Sequence, residues 1–260
     1  MKCIFIPGLV ASPLHLPSNY DELNLKLFHF WKTFPWTKDK SYQAYLKLCN
    51  QVCKAICQKN YQNGFQTKLI GHSSGCTIIL DKGFKINEMK GVHSIEFLSP
   101  NIYAYYPPAF FGINIIAGKG FGLLVEPMLR LQSFIMGPLI LTKASLLIHL
   151  ALFESRKNYP LFDWNDLSIL ITMKQFASFF IEFTKTSKNF NKKIFENHKV
   201  CAMFASKDFI ISAEESERFL LENGVKDIKW IQGDHESTIF HRTRLRNLTK
   251  PFICVKINNQ

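Results

Sequence analysis

The stretch that decides the fold is residues 71–75, which read Gly-His-Ser-Ser-Gly. They stand between an apolar run at residues 65–70, which follows an Asn-Gly turn signal, and a helix-like apolar run at residues 76–81. A sharp turn between strand and helix strains the backbone of its central residue, and glycines two residues to either side let strand and helix approach closely. The pattern therefore predicts a strand, a tight turn that exposes Ser73, and a helix.

Two later strand-like segments are each followed by a residue with acid–base chemistry. Residues 200–205 read as a buried strand that leads to Asp208, and a helix signal begins at Ser212. Residues 228–231 read as a strand that leads to His235, again before a helical stretch. Ligand and catalytic groups of parallel sheets gather at the carboxyl ends of the strands. Ser73, Asp208 and His235 are therefore expected to meet at one edge of a sheet.

With Ser, Asp and His in this order, each in a loop after a strand, the chain resembles the α/β-hydrolase family. The start of the chain is also similar, because residues 2–6 followed by Pro7 and Gly8 resemble the first core strand and oxyanion loop of that family. The resemblance covers residues 1–100 and 199–245. It implies an α/β fold in which helices flank a mostly parallel central sheet.

The resemblance also implies roles for five residues. Ser73 is the expected nucleophile, because a serine hydroxyl becomes reactive when a neighbouring base removes its proton. His235 is the expected base and Asp208 the carboxylate that orients its ring. The backbone N–H groups of Leu9 and Ser74 are the expected donors of the oxyanion hole.

Two competing assignments have to be weighed against these roles. Asp234 adjoins His235, but neighbouring side chains point apart on a strand or tight loop, which favours Asp208 as the acid. His241 is the positional rival of His235, yet it falls about two turns into the following helical segment. No metal is expected, since the sequence lacks His-Glu-x-x-His and Cys-x-x-Cys spacings. No cofactor is expected either.

Residues 101–198 follow no recognisable family pattern and are predicted to be an inserted, mainly helical lid over a core made of residues 1–100 and 199–260. Phe- and Leu-rich segments recur between residues 103 and 183, cut by Pro and Gly. Their simplest interpretation is packing within the lid. The functional interpretation is an apolar wall for an acyl chain.

Composition limits the setting in which the protein works. The chain has 260 residues, 47% of them hydrophobic, which suffices for one large core. Seven cysteines without disulfide or metal spacing predict free thiols in a reducing compartment, and Cys49, Cys53 and Cys57 share one helix face as packing residues. No uncharged apolar run is long enough to span a membrane. The expected location is cytoplasmic.

The formal net charge of +12 favours acidic partners or an anionic membrane surface. Lysines at positions 185–199 and arginines at positions 242–246 form two basic groups, but neither is interleaved with aromatics as in a nucleic-acid module. Nucleic acid is therefore not an expected partner. A solvated basic face is the simplest interpretation of both groups.

The expected activity is hydrolysis of a carboxylic ester, a small-molecule or lipid-like substrate with an apolar acyl group, through an acyl-enzyme on Ser73. A thioesterase or a small peptidase uses the same catalytic groups. A non-catalytic scaffold, or a protein that works at a lipid surface through its basic faces, remains an alternative from a different class.

Overall fold

The computed structural model of the chain describes residues 1–8, 20–30, 41–102, 182–183, 190–208 and 211–244. Leu9 and the Phe- and Leu-rich segments of the predicted lid lie outside the described residues, apart from residues 182–183. The last part of the predicted lid range is described, and there Phe190 and Ile194 pack into the hydrophobic core.

Five strands and six α-helices form within the described residues, together with two short 3-10 turns. The strands are β1 (Lys2–Ile6), β2 (Thr67–His72), β3 (Val92–Leu98), β4 (Lys199–Ala205) and β5 (Asp227–Ile231). The helices are α1 (Leu25–His29), α2 (Tyr42–Gln62), α3 (Ser74–Leu80), α4 (Lys193–Asn197), α5 (Ala213–Glu222) and α6 (Ser237–Arg244). The 3-10 turns are Glu22–Asn24 and Ile86–Glu88.

The strands form one sheet in the order β1-β2-β3-β4-β5, and each neighbouring pair is parallel. The predicted parallel sheet flanked by helices is thus confirmed. The carboxyl ends of the strands lie side by side, as the register shows in the pairs Ile6–Gly71, His72–Leu98, Leu98–Met203 and Ala205–Ile231. Loops that follow these strands therefore meet at one edge.

Alternating side chains of each strand enter two apolar clusters on opposite faces of the sheet. In β1, Ile4 and Ile6 belong to the larger cluster, where the sheet packs against α2, α3, α4 and α5. Cys3 and Phe5 belong to the smaller cluster, which Phe28 of α1 helps to cover. Ile239 of α6 also lies in the smaller cluster, so α6 helps to cover the same face.

The three cysteines spaced by four residues in α2 are packing residues. Cys49, Cys53 and Cys57 are all buried in the larger cluster. Burial raises the pKa of each thiol above its ordinary value, for Cys57 to about 12. Such thiols stay protonated near neutral pH and are poor nucleophiles.

The predicted strand at residues 65–70 is displaced by two residues from β2. Phe65 is 44% exposed, and its N–H donates to the carbonyl of Asn60 at the end of α2. Pairing with β1 begins only at Thr67 and runs through Gly71. The apolar side chain of Phe65 therefore misled the sequence interpretation, because register with β1 decides where the strand starts.

No helix within the described ranges combines the length and the apolar character that a membrane crossing requires. The predicted cytoplasmic location stays a prediction.

Candidate active site

Ser73 occupies the tight turn between β2 and α3 in a strained backbone conformation, with φ 53° and ψ −121°. Its N–H donates to the carbonyl of Leu98 at 2.9 Å, and its carbonyl accepts from the N–H of Cys76 at 3.0 Å. A non-glycine residue in such a region costs on the order of 1–3 kcal/mol and persists only where its surroundings impose it. The turn expected from residues 71–75 is present, with Ser73 at its apex.

The two glycines of the turn are required by close backbone contacts. A Cβ on Gly71 would lie 2.9 Å from the Cα of Cys76 in α3. A Cβ on Gly75 would overlap the carbonyl oxygen of Ile6 at the end of β1. Helix α3 can therefore cross both strands closely only with glycine at these positions, which is the reason inferred from the sequence.

We expect Gly75→Ala to lower the free energy of unfolding by about 3 kcal/mol or more, because the added methyl meets backbone rather than a movable side chain. Urea denaturation of both proteins measures the difference. Gly224→Ala is the matched control: Gly224 has φ 84° and open space around it, so the change costs only the conformational strain of roughly 1–2 kcal/mol. Equal losses for the two variants would contradict the packing argument.

His235 and Asp208 form a buried pair at the same edge of the sheet. The Nδ1 atom of His235 lies 2.7 Å from Oδ2 of Asp208, and the side chains are 3% and 0% exposed. An ionised carboxylate only accepts hydrogen bonds, so the Nδ1 atom is assigned the proton. The opposite ring nitrogen, Nε2, is then left to accept a proton.

The loops that carry these two residues are held together by backbone contacts. The N–H of Lys207 donates to the carbonyl of Gly233 at 2.8 Å, which joins the loop after β4 to the loop after β5. The second carboxylate oxygen of Asp208, Oδ1, accepts from the N–H of Ile211 at 3.3 Å. Asp208 is therefore oriented by its own loop as well as by the imidazole.

Opposing effects act on the pKa of His235. Burial lowers this pKa, but the Asp208 charge and hydrogen bond, with smaller effects from Glu236 and Asp234, raise it by more. The pKa of His235 therefore lies above its ordinary value. His235 can act as a base only while its ring is neutral, so this function is lost as the pH falls through the pKa of His235.

Asp234 and His241, the rivals considered from the sequence, have other surroundings. The Oδ1 atom of Asp234 accepts from the N–H groups of Glu236 and Ser237 at 3.2 and 3.3 Å, and from the Ser237 hydroxyl at 3.1 Å. Asp234 thus caps the start of α6. His241 lies within α6, and the structure pairs His235, not His241, with Asp208.

The expected oxyanion donors are described only in part. Ser74 is the first residue of α3, where a backbone N–H has no carbonyl partner inside the helix. Leu9 lies outside the described residues, but Gly8 before it contacts the turn: a Cβ on Gly8 would be 3.0 Å from Cβ of Ser73. The loop after β1 therefore reaches the same place as Ser73.

Sequence reasoning assigned no role to His72. His72 is 2% exposed, and its ring lies against that of His235 with 4.9 Å between the centroids. Its Nε2 atom is 3.5 Å from the carbonyl oxygen of His235. Because His72 precedes Ser73, this contact brings the loop of His235 against the turn. No signal in the sequence indicates it.

Among the described residues there is no group of three or more His, Cys, Asp or Glu side chains that could hold a metal ion. Of the basic groups noted in the sequence, Lys185, Lys188 and Arg246 lie outside the described residues. Attraction to an anionic membrane stays a prediction.

The parallel strand order and the serine turn between β2 and α3 identify the fold of this chain. The chain has the α/β-hydrolase fold, as solved structures with the same architecture confirm. They include a soluble variant of monoglyceride lipase from Saccharomyces cerevisiae, at 12% identity over 95% of this chain and 85% of that chain, with a TM-score of 0.58. Monoacylglycerol lipase from Paleococcus ferrophilus is similar at 16% identity over 93% and 91%, with a TM-score of 0.52. A peroxisomal α/β-hydrolase from Saccharomyces cerevisiae is similar at 11% identity over 100% and 79%, with a TM-score of 0.52.

At these identities the similarity establishes the fold and leaves the activity to be argued from the site. No protein-family model matches the chain, and no curated protein is significantly similar to it.

Proposed function

We propose that this protein is a serine hydrolase that cleaves a carboxylic ester with an apolar acyl group. The observation that carries the proposal is the buried 2.7 Å contact between His235 and Asp208. The ring of His235 also lies against His72, the neighbour of Ser73 in its strained turn. Strain and a buried charge are both costly, and both are common where catalytic groups are held in place.

In the proposed mechanism the Oγ atom of Ser73 attacks the carbonyl carbon of the ester while Nε2 of His235 takes the hydroxyl proton. Asp208 holds the ring and stabilises the imidazolium. The imidazolium then protonates the leaving alcohol, and the acyl group stays on Ser73. Water, deprotonated by the same His235, attacks the acyl-enzyme and releases the acid and the free serine.

Negative charge on the carbonyl oxygen is proposed to be stabilised by the N–H groups of Ser74 and Leu9. Loss of one such donor typically lowers kcat by about 10²–10³-fold. Support for Ser74 comes from its position at the start of α3. Support for Leu9 comes from the sequence resemblance and from the contact of Gly8 with the turn.

Labelling by a fluorophosphonate tests the proposal directly, because such a probe forms a bond with an activated serine. Peptide mapping by mass spectrometry is expected to find the label on Ser73 and on no other serine. An unlabelled protein that also hydrolyses no ester would refute the proposed function.

The apolar acyl group is proposed from the Phe- and Leu-rich composition of residues 103–183. Similarity in fold to two monoacylglycerol lipases supports a lipid-like ester. We expect kcat/KM for p-nitrophenyl esters to rise with chain length, since each buried methylene contributes up to ~0.8 kcal/mol, and then to level off when the pocket is full. A flat profile from acetyl to long-chain esters would mean that these residues only pack among themselves.

The type of bond cleaved is tested by measuring kcat/KM for an ester, a thioester and an amide that carry the same acyl group. The proposal expects the ester to have the highest kcat/KM. Preference for the thioester or the amide would favour the thioesterase or peptidase alternative, with the same residues at work.

A further inference from the structure

The residue that follows β3, Ser99, is buried completely and has an unusual backbone. Its exposure is 0% and its φ is 42°, a left-handed value that costs a serine energy. Its N–H donates to the carbonyl of Met203 in β4 at 2.8 Å. Ser99 is therefore held at the carboxyl ends of two adjacent strands.

The Ser99 hydroxyl contacts the backbone of His235. Its Oγ atom donates to the carbonyl oxygen of His235 at 2.9 Å. Thr238, one turn later in α6, places Oγ1 3.1 Å from Oγ of Ser99 and 3.3 Å from the same carbonyl. Ser99 gives its single proton to the carbonyl, so the one proton of Thr238 is shared between that carbonyl and the oxygen of Ser99, both of which lie within reach.

These contacts tie the loop of His235 to the strand that leads to Asp208. Ser99 bonds to Met203 in β4, and Asp208 follows β4 in the chain. The carbonyl of His235 is therefore fixed relative to the loop that presents the carboxylate. A buried carbonyl needs only one donor to be satisfied, and here two hydroxyls and the Nε2 atom of His72 converge on it.

We propose that Ser99 and Thr238 are positioning residues, whose linked hydroxyls hold the backbone of His235 so that its imidazole meets Asp208 on one side and Ser73 on the other. The inference rests on the proposed function. The competing explanation is that both hydroxyls only stabilise the fold. Displacement of a catalytic group by about 1 Å can cost up to about 100-fold in rate, whereas a purely structural contact alters stability alone.

The experiment compares Ser99→Ala and Thr238→Val, which each remove one hydroxyl, with Thr238→Ser, which keeps it. Ser216→Ala is the matched control, because the Ser216 hydroxyl is equally buried and has no hydrogen-bond partner within the described part of the chain. Steady-state kinetics with a p-nitrophenyl ester give kcat and KM. Proton NMR follows the low-field resonance of the His235 Nδ1 proton, which Asp208→Asn identifies by its loss.

Ser99→Ala is expected to lower kcat by about 10–100-fold with KM changed less than about twofold, and to shift or broaden the low-field resonance. Thr238→Val should also lower kcat and shift the resonance, but by less. Thr238→Ser keeps the hydroxyl, so its kcat and its resonance should match those of the wild type. Ser216→Ala should match the wild type in both.

Wild-type kcat together with an unchanged low-field resonance in Ser99→Ala would overturn the inference, and so would equal effects from Ser216→Ala. If the wild-type protein hydrolyses no ester, the proposed function fails, while the NMR comparison still decides whether the two hydroxyls position His235. The two failures are thus distinguishable.

Discussion

Ser73→Ala is expected to lower kcat for ester hydrolysis by about 10³-fold or more and to abolish fluorophosphonate labelling. The change deletes one oxygen, and the fold should stay intact because Ser73 keeps its Cβ and its backbone contacts with Leu98 and Cys76. Ester kinetics, labelling and urea denaturation of the purified variant measure the three quantities.

His235→Ala should cause a loss of similar size, and the double variant should be little worse than either single one, since residues that act as a unit have non-additive effects. Ser94→Ala is the control: Ser94 is a buried serine in β3, and it lies away from the carboxyl end of the strand. Wild-type turnover in Ser73→Ala would exclude the covalent mechanism. If kcat of the double variant is far lower than kcat of either single variant, Ser73 and His235 do not act together in one catalytic unit.

Asp208→Asn is expected to lower kcat by about 10⁴-fold, because an amide in place of the carboxylate favours the wrong imidazole tautomer. The pKa of His235 should also fall, since the Asp208 charge and hydrogen bond are the largest effects that raise it. The acid limb of the kcat/KM profile should therefore move to lower pH. A pH–rate profile of the residual activity measures this shift.

Asp234→Asn is the matched comparison, with the same change one residue before His235. The Asp234 carboxylate caps α6, and asparagine caps helices about as well as aspartate. Turnover should stay within a few-fold of the wild type. Severe damage from Asp234→Asn with a nearly silent Asp208→Asn would reverse the assignment of the acid.

Local patterns and the family resemblance were sufficient to predict β1, β2, β4 and β5 and the turn at Ser73. Short apolar runs mark β1 and β4 nearly to their observed ends, because a parallel strand covered on both faces buries successive side chains. Glycine at positions 71 and 75 indicated the close approach of strand and helix that the structure shows. The strand start near Phe65 was wrong, since pairing with β1 and not apolarity sets it.

The lid predicted for residues 101–198 stays a prediction, as do the catalytic roles of Ser73, Asp208 and His235. What the structure adds is the surroundings of these residues. In the structure the Asp208 carboxylate contacts the His235 imidazole, whereas the Asp234 carboxylate caps α6. The sequence favoured Asp208 over Asp234 only because neighbouring side chains generally point apart.

The sequence by itself determined the serine turn and the strands on either side of the functional residues, because propensity, periodicity and glycine spacing act over a few residues. The parallel sheet followed from the resemblance to the α/β-hydrolase family. Only the tertiary structure decided which polar groups meet at the sheet edge. His235 contacts Asp208 27 residues away, and its carbonyl contacts Ser99 136 residues away. Partners so far apart are chosen by how strand ends and loops pack in three dimensions, and a hydroxyl or carboxylate leaves no periodic signal of the partner it will find.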